Sequence, residues 1–522
     1  MNQRIDPIII GANKRGRGFS RACVCFVFFA LVRLALEAFA QNNAPPSPSQ
    51  PWLPPGFDEY EKELARMGRD GTREKMRVGI NPDKVYELPE LIDIAERSQP
   101  EARSAWERAR QAATAVGLTE SAYYPYLVAS AAAGYERAFL PFPTLRVSPG
   151  LTDVSITGGG TETVDSAAEG AALNLKWLLF DFGGRKATTA AAMEKLMMAN
   201  VGFNAVHQKI VFEVTQRFYE FDAVREKVAA AESSMRAADI VAKAAQARVD
   251  HGLATKPELL EAEQQTAQAS FELEAARGAL SDGQVALVES LGILPTTQLQ
   301  VAKASAEPLP ENIDGSLDTL IDRALSQRPD LVARLANVRA SRADVQQARA
   351  AYYPKIALGA NAGFSELDVS INNSSYFGGS KPVYGVGVSV ELPIFDGFAR
   401  SKKLRIAQSE LEEAESELSG SRDAVVREVW KAYTDFRTEL HKEESATRLL
   451  SAAQSAFDAS LQAYQQGLGT YVDVVNAQRN LDGARSVMVD TRSAIFTGAT
   501  ALALSIGDLA KPKPTAATVH SK

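Results

Sequence analysis

The chain has 522 residues, 45% of them hydrophobic, and a formal net charge of −7. Residues 1–40 hold six basic and two acidic side chains, so the remainder carries −11, a balance that repels phosphate backbones and excludes a nucleic-acid partner. Both cysteines, Cys23 and Cys25, fall in that opening segment, which removes disulfides, cysteine-bound metal and thiol catalysis from everything after it.

Residues 1–40 read as a cleaved export signal. Lys14, Arg15, Arg17 and Arg21 precede the apolar run 22–32, and Ala38-Phe39-Ala40 supplies a small-x-small cleavage site. Eleven apolar residues are too few to cross a bilayer, so a permanent N-terminal anchor is the weaker reading. No cysteine follows the cleavage site, which argues against a lipid anchor. No run of about 18 apolar residues follows either, so any membrane crossing must use β-strands. Residues 42–56, with six prolines, read as an extended spacer. Residues 57–87 are charged without a clear period and are assigned, with that spacer, to a variable N-terminal segment over 41–87.

A short helix is expected over 88–96, and Pro100 opens a second that runs to about Ser121. Tyr124-Pro125 ends it, since the residue before proline is pushed out of the helical region. The period then becomes two. Leu173, Leu175, Trp177 and Leu179 alternate with Asn174, Lys176 and Leu178; later, Val386, Val388, Val390, Leu392 and Ile394 alternate with smaller or polar residues, Glu391 among them. Strands are expected at about 126–137, 171–182, 355–365 and 383–395, with the connections 138–168 and 366–382 as exposed loops. Lys176 and Glu391 fall on the polar faces.

Two proline-free stretches, 185–250 and 400–466, each contain a single glycine, Gly202 or Gly420. As helices they would be roughly 100 Å long at about 1.5 Å per residue, against an average of about 11–12 residues for helices in compact domains. Their Ala, Glu, Gln, Arg and Leu content suits a solvated coiled coil with a small-residue seam. Each stops at a glycine turn, Gly252-Leu253 or Gly467-Leu468-Gly469, and reverses into a helix of half the length, 257–291 or 471–506.

The order is repeated. Ala122-Tyr123-Tyr124-Pro125 returns as Ala351-Tyr352-Tyr353-Pro354, and Phe180-Asp181 with Arg185 returns as Phe395-Asp396 with Arg400. The offset is 229 residues for the first motif and 215 for the second, and 215 persists through Gly252/Gly467 and Gly292/Gly507. One structural unit is therefore present twice, over 88–295 and 316–508, joined by a linker over 296–315 and followed by a tail over 509–522. In each copy the two shorter helices, upstream and return, would stack end to end beside the long one. Two hairpins give only four strands, too few to close a membrane barrel, which takes at least about eight. Symmetric association of two chains for eight strands, or three for twelve, is the simplest remedy. Enzyme motifs are absent: there is no His-Glu-x-x-His, P-loop or Gly-x-Ser-x-Gly, and no cofactor or metal motif.

The duplicated helix–hairpin–long-helix order, the Tyr-Pro and Phe-Asp…Arg motifs, and the Tyr464-x-x-Gly467 to Asp473 turn together resemble the TolC-like outer membrane efflux proteins, over about residues 85–508. The resemblance implies a mainly α protein with a β membrane part. Long antiparallel coiled-coil helices would form an α-barrel across the periplasm, and four strands per chain would contribute to a shared 12-stranded barrel of a homotrimer in the outer membrane. It also implies a passive exit duct for a tripartite efflux or type I secretion system, working with a periplasmic adaptor (membrane fusion) protein and an inner-membrane pump of RND, ABC or MFS type.

In that family acidic residues just past the second glycine turn narrow the periplasmic aperture; Asp473 falls on the first such position and Asn476 on the second. Three Asp473 carboxylates around one axis would repel one another, inviting a bound cation or raised pKa values; the plainer alternative is a helix N-terminal Asp complementing the dipole. Tyr464 matches a residue that helps hold the closed mouth, with ordinary packing as its alternative. Glu258 matches the acidic half of a latch whose basic half is replaced here by Gly469. Gly252, Leu253, Gly467, Leu468 and Gly469 are the expected adaptor-docking tips, and Lys176 and Glu391 would line the barrel lumen. The competing reading is a periplasmic or secreted coiled-coil scaffold, in which the apolar strand faces would need a hydrophobic partner.

Overall fold

A computed structural model describes residues 57–76, 80–141, 144–147, 154–157, 160–304 and 315–509. The export signal, the proline-rich spacer and the tail beyond 509 lie outside the described residues. The chain divides into two compact units, Met1–Glu74 and Lys75–Lys522. In the first, helix α1 (Phe57–Met76) occupies part of the segment whose period the sequence reading missed. Tyr60, Leu64 and Met67 recur at i, i+4 and i+7 there, all exposed, and the dense charge between them obscures the helical stripe.

The second unit is built as two interlocked copies. The first copy runs α2 (Leu88–Ser98), α3 (Pro100–Glu120), a 3₁₀ turn, strands β2 (Tyr126–Pro141) and β5 (Thr161–Phe180), the long α4 (Gly184–Asp250) and the return helix α5 (Lys256–Ser290). The second copy runs α6 (Leu317–Gln327), α7 (Pro329–Ala350), β7 (Lys355–Ile371), β8 (Ser374–Glu391), the long α8 (Ala399–Gln465) and α9 (Tyr471–Ile506). Two short pairs complete the described elements. β1 (Val85–Tyr86) lies parallel to β6 (Gln300–Val301), and β3 (Thr144–Val147) pairs with β4 (Val154–Thr157). The β1–β6 pair ties residues assigned to the variable segment and to the linker into the core, where Tyr86, Leu91, Leu287 and Leu291 are buried together.

Both long helices have 67 residues, about 100 Å of rise. The shorter helices do stack end to end beside them. At the junction of α5 with α3, Gln99 donates its side-chain amide to the carbonyls of Glu289 and Ser290. At the matching junction of α9 with α7, Arg328 donates to the Ser505 carbonyl at 3.1 Å. Each junction needs a glycine. Gly292 has φ +70° and a Cβ there would sit 3.0 Å from the Ser98 carbonyl; Gly507 has φ +84° and a Cβ would sit 3.3 Å from the Arg328 Cα.

The four long strands form one antiparallel sheet in the order β2-β5-β7-β8. They extend well past the expected limits. The connection 366–382, expected as a loop, is almost wholly strand, closed by a two-residue turn at Asn372-Asn373 with φ +49° and +68°. Asparagine tolerates the left-handed region, so this pair makes the tight turn without glycine. The connection 138–168 is likewise strand at both ends, through Pro141 and from Thr161. Ser, Thr and Gly in those stretches face solvent along a paired backbone, and composition alone reads them as loop.

Gly292→Ala and Gly252→Ala start from nearly the same φ, +70° and +71°, but a Cβ at 252 meets nothing within 4 Å. Both variants incur about 1 kcal/mol of left-handed strain. Gly292→Ala is expected to lower the thermal midpoint clearly more than Gly252→Ala, because only it also forces the α5–α3 junction apart.

Candidate functional site

Two regions of the second unit carry functional geometry: the wall formed by the sheet, and the helical tips about 100 Å from it. Strand register assigns the wall's faces. Leu127, Leu175, Ala360 and Val386 lie in one row, Leu173 is paired with Ala129 and Ala362, and Trp177, Leu358 and Val388 form another row, all on one side. The other side carries Lys176, Asn174, Asn361, Gly359, Gly385 and Gly387. Glu391 is paired with Lys355 on that same polar side. A register shift between Leu178 and Phe180 takes Leu179 out of the expected alternation and brings Phe180 opposite Ile356 instead. The apolar face is bare in the single chain, with Val386 77% exposed.

The duplicated motifs meet at the strand-to-helix hinges. Arg185 donates to the carbonyls of Leu178 (2.7 Å), Leu179 (3.0 Å) and Ala122 (3.1 Å), and its guanidinium lies 4.7 Å from the Tyr123 ring centre. Its backbone N–H is accepted by Asp181 at 2.6 Å. Arg400 repeats this with Asp396, the Ile394 carbonyl and the Tyr352 ring. The Tyr-Pro and Phe-Asp motifs, 58 or 44 residues apart from first to last, are thus parts of one clamp that orients each rod on the sheet.

At the tips the two glycine turns are Schellman-like caps. Leu253 N–H donates to Arg248 O at 2.7 Å and Leu468 N–H to Ala463 O at 2.8 Å, with Gly252 and Gly467 at φ +71° and +76°. Leu253 and Leu468 are exposed at their ends, whereas Gly469 is half-buried, and a Cβ there would sit 3.3 Å from Ala463 Cβ and Tyr464 N. A basic side chain at 469 would have to displace that contact.

Glu258 finds a different partner. Tyr464 is fully buried, and its hydroxyl donates to Glu258 Oε1 at 2.6 Å, joining the tip of the second copy to that of the first. Arg248 caps the arrangement: it donates to the carbonyls of Tyr464 and Leu253, with its guanidinium 4.6 Å from the Tyr464 ring centre. Burial, with the neighbouring Glu258 carboxylate second, pushes the Tyr464 phenol well above its ordinary value. Tyr464 is therefore a neutral donor at neutral pH. Around it an alanine-rich seam of Ala245, Ala262, Ala453, Ala477 and Ala484 lets the four helices approach closely.

Asp473 and Asn476 are exposed one turn apart on the first turns of α9. Asp473 closes a capping box with Thr470: its carboxylate accepts from the Thr470 hydroxyl at 2.6 Å and from the Thr470 N–H at 3.1 Å, while its own N–H donates to Thr470 Oγ1. Those donors, the hydroxyl first, hold the Asp473 carboxyl below its usual range. Within one chain this is the reverse of the raised value expected from three-fold crowding, and the capping role read as the plainer alternative is present.

Sequence reasoning missed a polar cluster one-third of the way along α9. Asp482 accepts from the Ser234 hydroxyl, and Gln478 donates to the Ser234 carbonyl at 3.2 Å while its own carbonyl oxygen is buried without a partner. Burial raises the Asp482 pKa. Nothing in the local pattern at 478–482 marks these side chains as inward-facing; only the packing of α4 against α9 does.

A membrane-ready sheet rooted on paired rods of this length defines the class of outer-membrane duct. The profile of the family described as outer membrane efflux protein matches residues 91–293 and 320–508. Protein CyaE of Bordetella pertussis is 30% identical over 430 residues, covering 81% of this chain and 84% of that protein. The pyoverdine export outer membrane protein OpmQ of Pseudomonas aeruginosa is 27% identical over 439 residues, 81% of this chain and 86% of that one. Among solved structures, CusC superposes with a TM-score of 0.66 at 20% identity, over 80% of this chain and 92% of the other. The chain belongs to the outer membrane efflux protein family and is an outer-membrane exit channel of an export system. The scaffold reading falls with that assignment.

Tyr464→Phe removes the hydroxyl and leaves Glu258 without its donor, which should cost about 1–3 kcal/mol; the thermal midpoint should fall, and Glu258→Gln, which retains an acceptor, should cost less. For Asp482 the sign follows from its raised pKa. The ionised form is disfavoured in the fold, so its penalty operates at neutral pH and fades as pH falls through the folded pKa. Asp482→Asn should raise the midpoint at pH 7 and leave it nearly unchanged at acid pH, read by thermal melts across that range.

Proposed function

We propose that three copies assemble into a duct whose β-barrel has twelve strands and whose helices enclose a tunnel through the periplasm. The observation that carries this reading is the four-stranded sheet with one apolar face and two free edge strands, β2 and β8, fixed to 67-residue helices. Three copies of four strands close the sheet, bury no edge in lipid, and set the rods side by side in the same ring. The face bearing Leu175, Trp177, Val386 and Val388 then meets lipid, and Lys176 and Glu391 stand in the lumen.

The glycine tips with exposed Leu253 and Leu468 supply the surface for a periplasmic adaptor, which joins the duct to an inner-membrane pump of RND, ABC or MFS type. CyaE and the export protein OpmQ support placement in such export machinery. Residues 1–40 act as the export signal. At the tips, the Tyr464–Glu258 bond stands in for a latch with a basic residue at 469. Asp473 and Asn476 ring the entrance, where the Thr470 donors keep the Asp473 charge in place at neutral pH.

Fractionation should place the protein in detergent-extracted outer membrane with a native mass of three chains; recovery as a soluble monomer overturns the reading. In planar bilayers Asp473→Ala should raise single-channel conductance and weaken block by polyvalent cations. Unchanged conductance and unchanged block would remove Asp473 from the entrance.

A further inference from the structure

Resting on the three-chain reading, we propose that the seam between neighbouring copies is a β8-to-β2 pairing in a fixed register, in which Lys381 of one copy meets Glu136 of the next inside the barrel. The argument begins with the rows of the sheet. Residues Tyr126, Lys176, Gly359 and Gly387 are successive partners across the four strands, and so are Ala132, Gly170, Ser365 and Lys381. Following a row off β8 leads onto the neighbour's β2, displaced along that strand by a fixed slip.

Three constraints fix the slip. It must be even, because inward side chains alternate with outward ones and an odd slip would place the polar face of one chain beside the apolar face of the next. Its size sets the strand tilt. With about 3.4 Å per residue and about 4.8 Å between strands, slips of 2, 4, 6 and 8 residues per four strands give tilts of about 20°, 35°, 47° and 55°. Membrane barrels tilt by about 35–45°, which leaves four or six. Its direction follows from the edges. Displaced toward the far end of β2, the slip gives β8 a partner through Glu391; displaced the other way, β8 from residue 384 onward would face no strand, leaving the backbone of Val386, Val388 and Val390 bare in lipid.

Lys381 is in the row of Ala132. A slip of four sets it directly opposite Glu136 of the next copy, and a slip of six sets it opposite Ala138, with Glu136 on the adjacent diagonal, within reach of a lysine side chain. The charges fit that placement independently. Glu136 is the one charged residue on the polar face of β2, and above the basal Glu391 of β8, Lys381 is the first charge on its polar face. Both are exposed, and neither has a side-chain hydrogen bond or ion pair in its own chain among the described residues. Opposite charges thus wait on the two free edges, on the same face.

Disulfide trapping tests the register, on a Cys23→Ser, Cys25→Ser background that removes both native thiols. Within one chain, position 381 is three strand spacings, at least about 14 Å, from β2, beyond the roughly 7 Å Cα separation that a disulfide tolerates, so any bond formed joins two copies. Glu136→Cys with Lys381→Cys, oxidised in membranes, should run as covalent trimer on a denaturing gel, with at least about tenfold more product than Val128→Cys or Ala132→Cys paired with Lys381→Cys. Equal or greater product at 128 or 132, or none from either Glu136→Cys or Ala138→Cys paired with Lys381→Cys in a protein of trimeric native mass, overturns the register while leaving the duct intact. A native mass other than three chains instead sinks the duct reading itself. Should the cysteine pair fail to assemble, charge reversal decides: Glu136→Lys and Lys381→Glu should each lower the temperature at which the trimer dissociates, and the double reversal should restore it; absence of rescue overturns the pairing.

Discussion

Unpaired backbone in lipid is the constraint from which the other features follow. β8 runs 18 residues and β2 runs 16, each with neighbours on one side only. Over the apolar band, each edge presents roughly nine outward N–H and C=O groups, and at several kcal/mol apiece in hydrocarbon the cost is on the order of tens of kcal/mol. No interaction at the tips approaches this: the Tyr464–Glu258 bond is worth about 1–3 kcal/mol. Assembly is therefore decided at the sheet, and the helices take whatever arrangement the sheet's closure gives them. The Arg185 and Arg400 clamps matter for this reason, since they carry the orientation of each strand pair into the start of a rod about 100 Å long.

Below the sheet, the rods are packed in two separate regions. The lower rods are held by five alanines packed with the larger Val241, Phe457, Tyr464, Tyr471, Val474 and Leu481, and by polar contacts, among them the Ser234–Asp482–Gln478 cluster with one buried carbonyl oxygen left without a partner. A small-residue seam permits close approach but little apolar burial per residue, at roughly 25 cal/mol per Å². A second cluster with large side chains, Phe218, Phe496, Leu287 and Leu291, forms near the middle, where α2, α4, α5 and the β1–β6 pair meet. Apolar burial thus holds the rods both at the waist and at the end where Tyr464, Glu258 and Arg248 meet.

Much of this architecture is written in periodicity that survives without tertiary context. Sixty-seven residues free of proline, bounded by an Asp-Gly hinge and a glycine cap, can only be a rod, and Val386-x-Val388-x-Val390 can only be a one-faced strand. What escaped the sequence was of two kinds. The strand extensions through 366–382 carry the Ser, Gly and Asn composition of a loop, and only cross-strand pairing makes them regular. The Tyr464–Glu258 bond joins residues 206 positions apart, and α9 must lie against α4 before Gln478 and Asp482 face inward. Asp473 sits between these cases: the Thr470 capping box is legible locally, while its place around an axis depends on symmetry that one chain does not contain.

The two copies have diverged where their surroundings differ. At the end-to-end helix junctions the first copy uses Gln99 to cap two carbonyls, and the second uses Arg328, whose guanidinium also reaches Asp330 and Glu428. Arg328 is half-buried, yet those two carboxylates outweigh burial, the largest single influence on it, and raise its pKa. Both junctions still demand the same glycine, at 292 and 507, because the chain must reverse hand within contact distance of a neighbouring backbone. Side-chain chemistry at the joint was free to change; backbone geometry was not. The tips show the converse. Gly252 and Gly467 meet open space or only a flexible arginine, so their glycine is required by φ alone, and it is the neighbours, Glu258 against Asp473, Ala254 against Gly469, that distinguish one copy's tip from the other's. The joint's glycine is thus fixed by backbone contact as well as by backbone angle, and the tip's glycine by backbone angle alone.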